Sequence, residues 1–122
     1  MSARKAAGRP PPDGYVPDRG DVVWLDFDPQ AGHEQAKRRP AVVLSPAAYN
    51  GRTSLALCCP VTSQVKGYPF EVALPPGGKA QGVALADQVR SLNWRARRAA
   101  HLDALPAPAL AQVLARALAL LA

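Results

Sequence analysis

Gly20–Ser45, GDVVWLDFDPQAGHEQAKRRPAVVLS, is the stretch that decides the fold. Val23, Leu25 and Phe27 alternate with Val22, Trp24 and Asp26, the period of a strand with two distinct faces. Ala41-Val42-Val43-Leu44 is a short continuous apolar run, as expected of a strand buried on both sides. Between them, the polar segment Asp28–Arg39 carries His33, Glu34, Gln35, Lys37, Arg38 and Arg39. A polar loop this long in a small chain is functional or disordered. A carboxylate, an imidazole and three adjacent cations on one loop favour function.

Outward from this pair, the chain reads as a series of short strands. Pro46–Gly51 is a turn or a single helical turn ending in Asn-Gly. Leu55–Thr62 is a third strand, in which Pro60 implies an edge position or a bulge. Val65–Pro69 is a loop, Phe70–Leu74 a fourth strand, and Pro75–Gln81 a flexible connection. Gly82–Ala86 is a fifth strand that Asp87–Leu92 continues through a bend, and Arg97–Asp103 is the last. The period then changes. Leu110, Val113, Leu114, Ala117, Leu118 and Leu121 form one stripe of an amphipathic helix, with Pro108 in its first turn. The expected class is mainly β with a C-terminal α-helix, a small β-barrel closed or covered by that helix.

The 122 residues suffice for one domain and one core. Residues 1–17 are basic, Pro-rich and poor in groups to bury, and read as a disordered N-terminal extension; residues 18–122 form the domain. The net charge of +6 admits a polyanionic partner. Arg4, Lys5 and Arg9 account for half of that excess, and the rest clusters at Lys37–Arg39 and at Arg90, Arg95, Arg97 and Arg98. Cys58 and Cys59 are neighbours in an apolar run and read as reduced, buried thiols. No apolar run reaches the roughly 18 residues of a membrane span, and Ser2–Pro12 lacks the apolar core of a signal peptide. The expected location is cytoplasmic.

Motifs for zinc proteases, paired CxxC metal sites, phosphate-binding loops and serine hydrolases are all missing. Asp26, Asp28 and Glu34 lack dedicated ligand spacing, so neither a metal nor another cofactor is expected. RNA, however, carries its own nucleophile. With a 2′-hydroxyl beside the scissile phosphate, a protein need supply only a base, charge stabilisation and a proton. Glu34, one of only two glutamates, is a competent base at its ordinary pKa of about 4.3. Arg39, held extended by the following Pro40, offers a planar fork to two phosphate oxygens. A solvated ion pair is the plain alternative for both. Thr62-Ser63-Gln64 at a strand end is ordinary turn chemistry taken alone. Trp94, among arginines, either stacks on a base or caps the core.

Tyr15-Val16-Pro17-Asp18, Gly20–Pro29, Gly32-His33-Glu34-Gln35 and Arg39–Pro46 together resemble the MazF/PemK toxins. The likeness continues through Tyr49-Asn50, Pro60-Val61-Thr62, Lys66–Val72, Gly82–Val89 and Trp94–Arg97, and leaves out only the basic extension. The resemblance is to the MazF branch. It implies an SH3-like barrel, a homodimer, a MazE-like antitoxin partner, and metal-independent cleavage of single-stranded mRNA at a short sequence such as ACA. It further implies Glu34 as base, Arg39 as the group that stabilises or protonates, Thr62 as a contributor, and His33 as the match of a PemK-branch histidine. The PemK-like arginine two places before Asp87 is replaced by Leu85, so the Glu/Arg version of the site fits better. RNA contacts are expected from Gln35, Lys37, Arg38, Ser63, Gln64, Lys66, Tyr68, Phe70, Asp87, Arg95 and Arg97. The alternative is a CcdB-like gyrase inhibitor on the same fold. That activity depends on a tryptophan near the end of the last helix, where this chain has Ala119-Leu120-Leu121-Ala122.

Overall fold

The computed structural model describes residues 14–27 and 38–122. Among them, in chain order, lie β1 (Asp21–Asp26), β2 (Arg38–Val43), α1 (Ala47–Thr53), β3 (Leu55–Thr62), β4 (Glu71–Ala73), β5 (Val83–Leu85), β6 (Arg90–Asn93), β7 (Ala100–Ala104) and α2 (Ala107–Ala119). The strands pair antiparallel in the order β4-β5-β3-β2-β1-β7, and β6 also pairs with β3. The sheet does not close on itself: β4 and β7 stand at opposite ends of that order.

Strands β1, β2 and β3 are apolar on both faces, because each face meets its own core. Val22, Val42, Cys59 and Val61 turn to a cluster sealed by Ala109 and Val113 of α2. Val23, Leu25, Ala41, Val43, Ala56 and Cys58 turn to a second one, closed by Leu92 and Trp94 with Tyr15 and Phe27 beside it. The double burial expected of Ala41–Leu44 is therefore met. Trp94 takes the core alternative: its indole N–H donates to the Asn50 carbonyl at 2.9 Å.

Four sequence expectations change. Strand β3 is interior, not an edge, and Pro60 pairs across from Ala41 of β2. On its other side β3 meets β6 through Cys58 and β5 from Val61, so the proline falls at the changeover, where its missing N–H breaks no ladder with either. Asn50-Gly51 does not end a turn; it lies inside α1, which stops at Ser54 with φ +64°. Asn50 is fully buried, and its side chain explains the longer helix. Its amide donates to the Pro17 and Ser45 carbonyls, and its oxygen accepts from the Ser45 hydroxyl. Asp87–Leu92 does not continue β5, since Arg90–Asn93 turns back as β6 onto the first half of β3. The last strand starts at Ala100, because Arg95–Arg98 forms a tight turn before it.

Composition assigns Tyr15, Val16 and Pro17 to the extension, yet all three pack on the folded unit. The Tyr15 hydroxyl donates to buried Asp21 at 2.7 Å. Helix α2 packs through Ala109, Leu110, Val113 and Leu114, while Leu118 and Leu121 at the far end of the same stripe are exposed.

Burial pushes both thiols, Cys58 and Cys59, up to about 12 from an ordinary 9.0. At pH 8 the native protein should therefore take up no iodoacetamide, and protein unfolded in guanidinium should take up two equivalents. Labelling of the native protein, read by mass, would contradict this. The sign for stability follows. The folded state keeps these protons longer than the unfolded chain, so their contribution is complete below about pH 9 and is lost as pH rises toward about 12.

Candidate active site

The β2–β3 ladder ends with Ala41 against Pro60, and two residues beyond it on each strand Arg39 and Thr62 line the same clefts. Arg39 then lines two adjoining clefts. One, of about 200 Å³, is completed by Pro60, Val61, Thr62, Gln64, Lys66, Tyr68, Glu71, Leu85, Asp87 and Gln88. The other, of about 460 Å³, adds Pro40, Ser63 and Gln81. Seven of the residues singled out in the sequence thus share one site: Arg39, Thr62, Ser63, Gln64, Lys66, Tyr68 and Asp87. Glu34, His33, Gln35 and Lys37 lie outside the described residues. Phe70 does not line either cleft; its carbonyl accepts from the Ala86 N–H.

Three local arrangements shape the site. The Gln64 N–H donates to the Thr62 hydroxyl oxygen at 3.1 Å, which leaves the hydroxyl proton available to donate into the cleft. Thr62 is backed by Gly82, where a Cβ would collide with the Thr62 carbonyl and φ is +109°, so only glycine fits. The Glu71 carboxylate accepts from the Lys66 and Gly67 N–H groups, folding the β3–β4 connection into a compact loop that carries Lys66 and Tyr68 to the cleft. Gln81 and Gln88 were missed in the sequence, and Glu71 was included only as part of the Lys66–Val72 segment, without a role of its own. Glu71 alone left a signal, as the chain's other glutamate.

Arg39 is exposed and forms no hydrogen bond or ion pair with any described residue. A guanidinium without a partner among the described residues, in a concavity that the Thr62 hydroxyl also lines, is arranged to receive an anion such as a phosphodiester. Glu71 is tied to its loop, which leaves Asp87 as the acid within the smaller cleft without such a tie. Among the described residues, no group of three or more His, Cys, Asp or Glu side chains could hold a metal ion. No described helix is long and apolar enough to cross a membrane.

The remaining arginines are elsewhere. Arg38, next to Arg39 on the opposite side of β2, pairs with Asp26 at 2.8 Å. Arg97 donates to the Asp26 and Phe27 carbonyls. Arg95 lies over the Trp94 ring, 4.3 Å from its centre, and donates to the Ser54 hydroxyl.

Residues 18–121 match the family model described as the PemK-like, MazF-like toxin of type II toxin-antitoxin systems. Over 85 residues the chain is 64% identical to the endoribonuclease toxin MazF of Escherichia coli, covering 70% of this chain and 76% of that protein. Its structure superposes on that of MazF from Deinococcus radiodurans with a TM-score of 0.80, at 62% identity, over 88% of this chain and 97% of that one. A MazE-MazF crystal structure from the same organism gives 0.79 at 55% identity, over 88% and 96%.

Proposed function

The chain belongs to the PemK-like, MazF-like toxin family of type II toxin-antitoxin systems, and from that premise we propose that it is an endoribonuclease toxin whose cleft works on RNA. The observation that carries the reading is the Arg39 guanidinium, without a partner among the described residues, in the clefts that Thr62 also lines. The substrate is single-stranded mRNA, whose splayed bases present their edges to the cleft, as stacked and paired bases do not. Glu34 takes the proton of the 2′-hydroxyl, whose oxygen attacks the adjacent phosphorus. Arg39 meets the charge that builds on the phosphoryl oxygens, with Thr62 donating beside it. The 5′-oxygen leaves and takes up a proton, giving a 2′,3′-cyclic phosphate and a 5′-hydroxyl. No metal enters these steps.

The other parts of the reading follow from the same kinship. The antitoxin is MazE-like, as in the Deinococcus radiodurans complex. The protein works in the cytoplasm as a homodimer, its sheet is the wall of a small SH3-like barrel, and it cuts at an ACA-like triplet. The gyrase alternative draws no support, because the curated relative carries a ribonuclease name.

The test is to incubate the protein with a long RNA in EDTA and map the ends. Cleavage should persist, with 5′-hydroxyl ends clustered at ACA. Cutting only with added Mg²⁺ would remove the metal-free mechanism. A consensus without ACA would remove the inherited specificity.

A further inference from the structure

Arg38 and Arg97, which the sequence reading assigns to RNA, converge with Arg98 on one acid. Asp26 ends β1 opposite Arg38, in the last pair of the β1–β2 ladder. Its two carboxylate oxygens are both taken: Oδ1 by Arg38 at 2.8 Å and Oδ2 by Arg98 at 2.8 Å. Arg38 also donates to the Arg98 carbonyl at 2.6 Å. The Asp26 backbone N–H donates to the Arg97 carbonyl, and the Arg97 guanidinium returns to the Asp26 and Phe27 carbonyls. One carboxylate therefore ties together the end of β1, the start of β2 and the turn before β7.

Arg98 sits in this clasp at φ +55°, a backbone region that non-glycine residues avoid, at the end of the turn in which its N–H donates to the Arg95 carbonyl. The hydrogen bond from Arg98, and then that from Arg38, hold the Asp26 carboxyl below its usual range despite burial, so it stays ionised at neutral pH. Successive residues of a strand face opposite sides. Arg38 pinned to Asp26 on one side of β2 fixes the direction in which Arg39 leaves the other.

We propose that Asp26 is a positioning residue for Arg39, acting through Arg38. The proposal rests on the reading of Arg39 as the group that meets charge on the phosphate. A misplacement of about 1 Å at such a group is enough to cost roughly 100-fold in rate. The competing use of these arginines, as direct phosphate contacts, has a different signature. Losing such a contact weakens binding and lowers the salt slope by about one, whereas losing a positioning contact lowers kcat and leaves both KM and the slope alone.

The experiment measures cleavage of a short RNA with one cut site by the full chain, by Asp26→Asn and Arg98→Gln, and by each combined with Arg39→Ala. Asp26→Asn should lower kcat by about 10- to 100-fold, with KM within about twofold and the salt slope unchanged. In the Arg39→Ala background the same change should alter the rate by less than about twofold, because the group it positions is gone. Arg98, whose side chain is 71% exposed, gives a second variant that removes half of the clasp should Asp26→Asn fold poorly. Its expected pattern is the same at smaller size. An unchanged kcat, an additive loss with Arg39→Ala, or a shift in KM and salt slope would overturn the proposal. A full chain that leaves the RNA intact would defeat the ribonuclease reading and this role with it. A cutting full chain with equally fast variants would defeat the role alone.

Discussion

Arg39→Ala should lose about 10²- to 10³-fold in kcat on an RNA with a single cut site, the usual loss when one preorganised donor is removed from a developing oxyanion. The folded state should barely register the change. Arg39 is exposed and holds no described partner, and substitutions of that kind shift stability by about 0.5 kcal/mol or less. Arg39→Lys keeps the charge but not the fork, and should fall between the two. Glu34→Ala should cost about 10²- to 10⁴-fold, as removal of a general base does. His33→Ala should be milder, since a Glu/Arg site runs without it. The measurement is single-turnover cleavage beside a thermal melt. Losses below tenfold in both Arg39→Ala and Glu34→Ala would retract the assignment, and an equal loss in His33→Ala would move proton transfer to the imidazole.

A substrate with a single 2′-deoxy or 2′-O-methyl sugar at the cut site should resist cleavage there, with cutting elsewhere on the strand unaffected. An intramolecular nucleophile in line with its phosphate is worth an effective molarity of about 10⁵–10⁸ M, which no attack by water or a hydroxyl from outside the strand recovers. The modified strand should still bind and compete with the natural one, because its phosphates and bases are intact. Normal cutting at the deoxy position, mapped at nucleotide resolution, would mean that water or a side chain is the nucleophile.

The parts of the molecule legible in the sequence were those governed by local pattern. Alternation gave β1, the apolar run gave β2 and its double burial, and the helical stripe gave α2 with Pro108 in its first turn. What failed was set by partners distant in the chain. Pro60 looked like an edge marker because periodicity cannot reveal that β3 changes neighbours there. Asn50-Gly51 looked like a turn because local preference cannot anticipate the Pro17 and Ser45 carbonyls waiting for the Asn50 amide. The site followed the same division. Strand-end residues such as Arg39 and Thr62 were put forward through chemistry and resemblance, and the fold sets both along the same clefts. Arg38 and Arg97 were put forward as RNA contacts without sight of Asp26 and the carbonyls they reach, because these come together only when three separate segments meet. Glu71 was given no role of its own because its work, closing a loop through two backbone N–H groups, leaves no motif.

The setting of Asn50 also governs how this protein ages. Asparagine followed by glycine is ordinarily the quickest pair in a protein to deamidate, because the next backbone nitrogen can reach the side-chain carbonyl and close a five-membered ring. Here the pair is wound into α1 and the amide is fastened at both ends, so that ring cannot form without breaking the helix and three hydrogen bonds. Were it to hydrolyse, a new carboxylate would face two carbonyl oxygens in a fully buried place, at a cost far above that of an ordinary unsatisfied polar group, itself about 1–3 kcal/mol. Deamidation at this dipeptide therefore proceeds in molecules that have opened around α1, and the product refolds against that cost. A one-dalton gain in mass at Asn50 thus marks a copy that has spent long enough away from the native state for the ring to close.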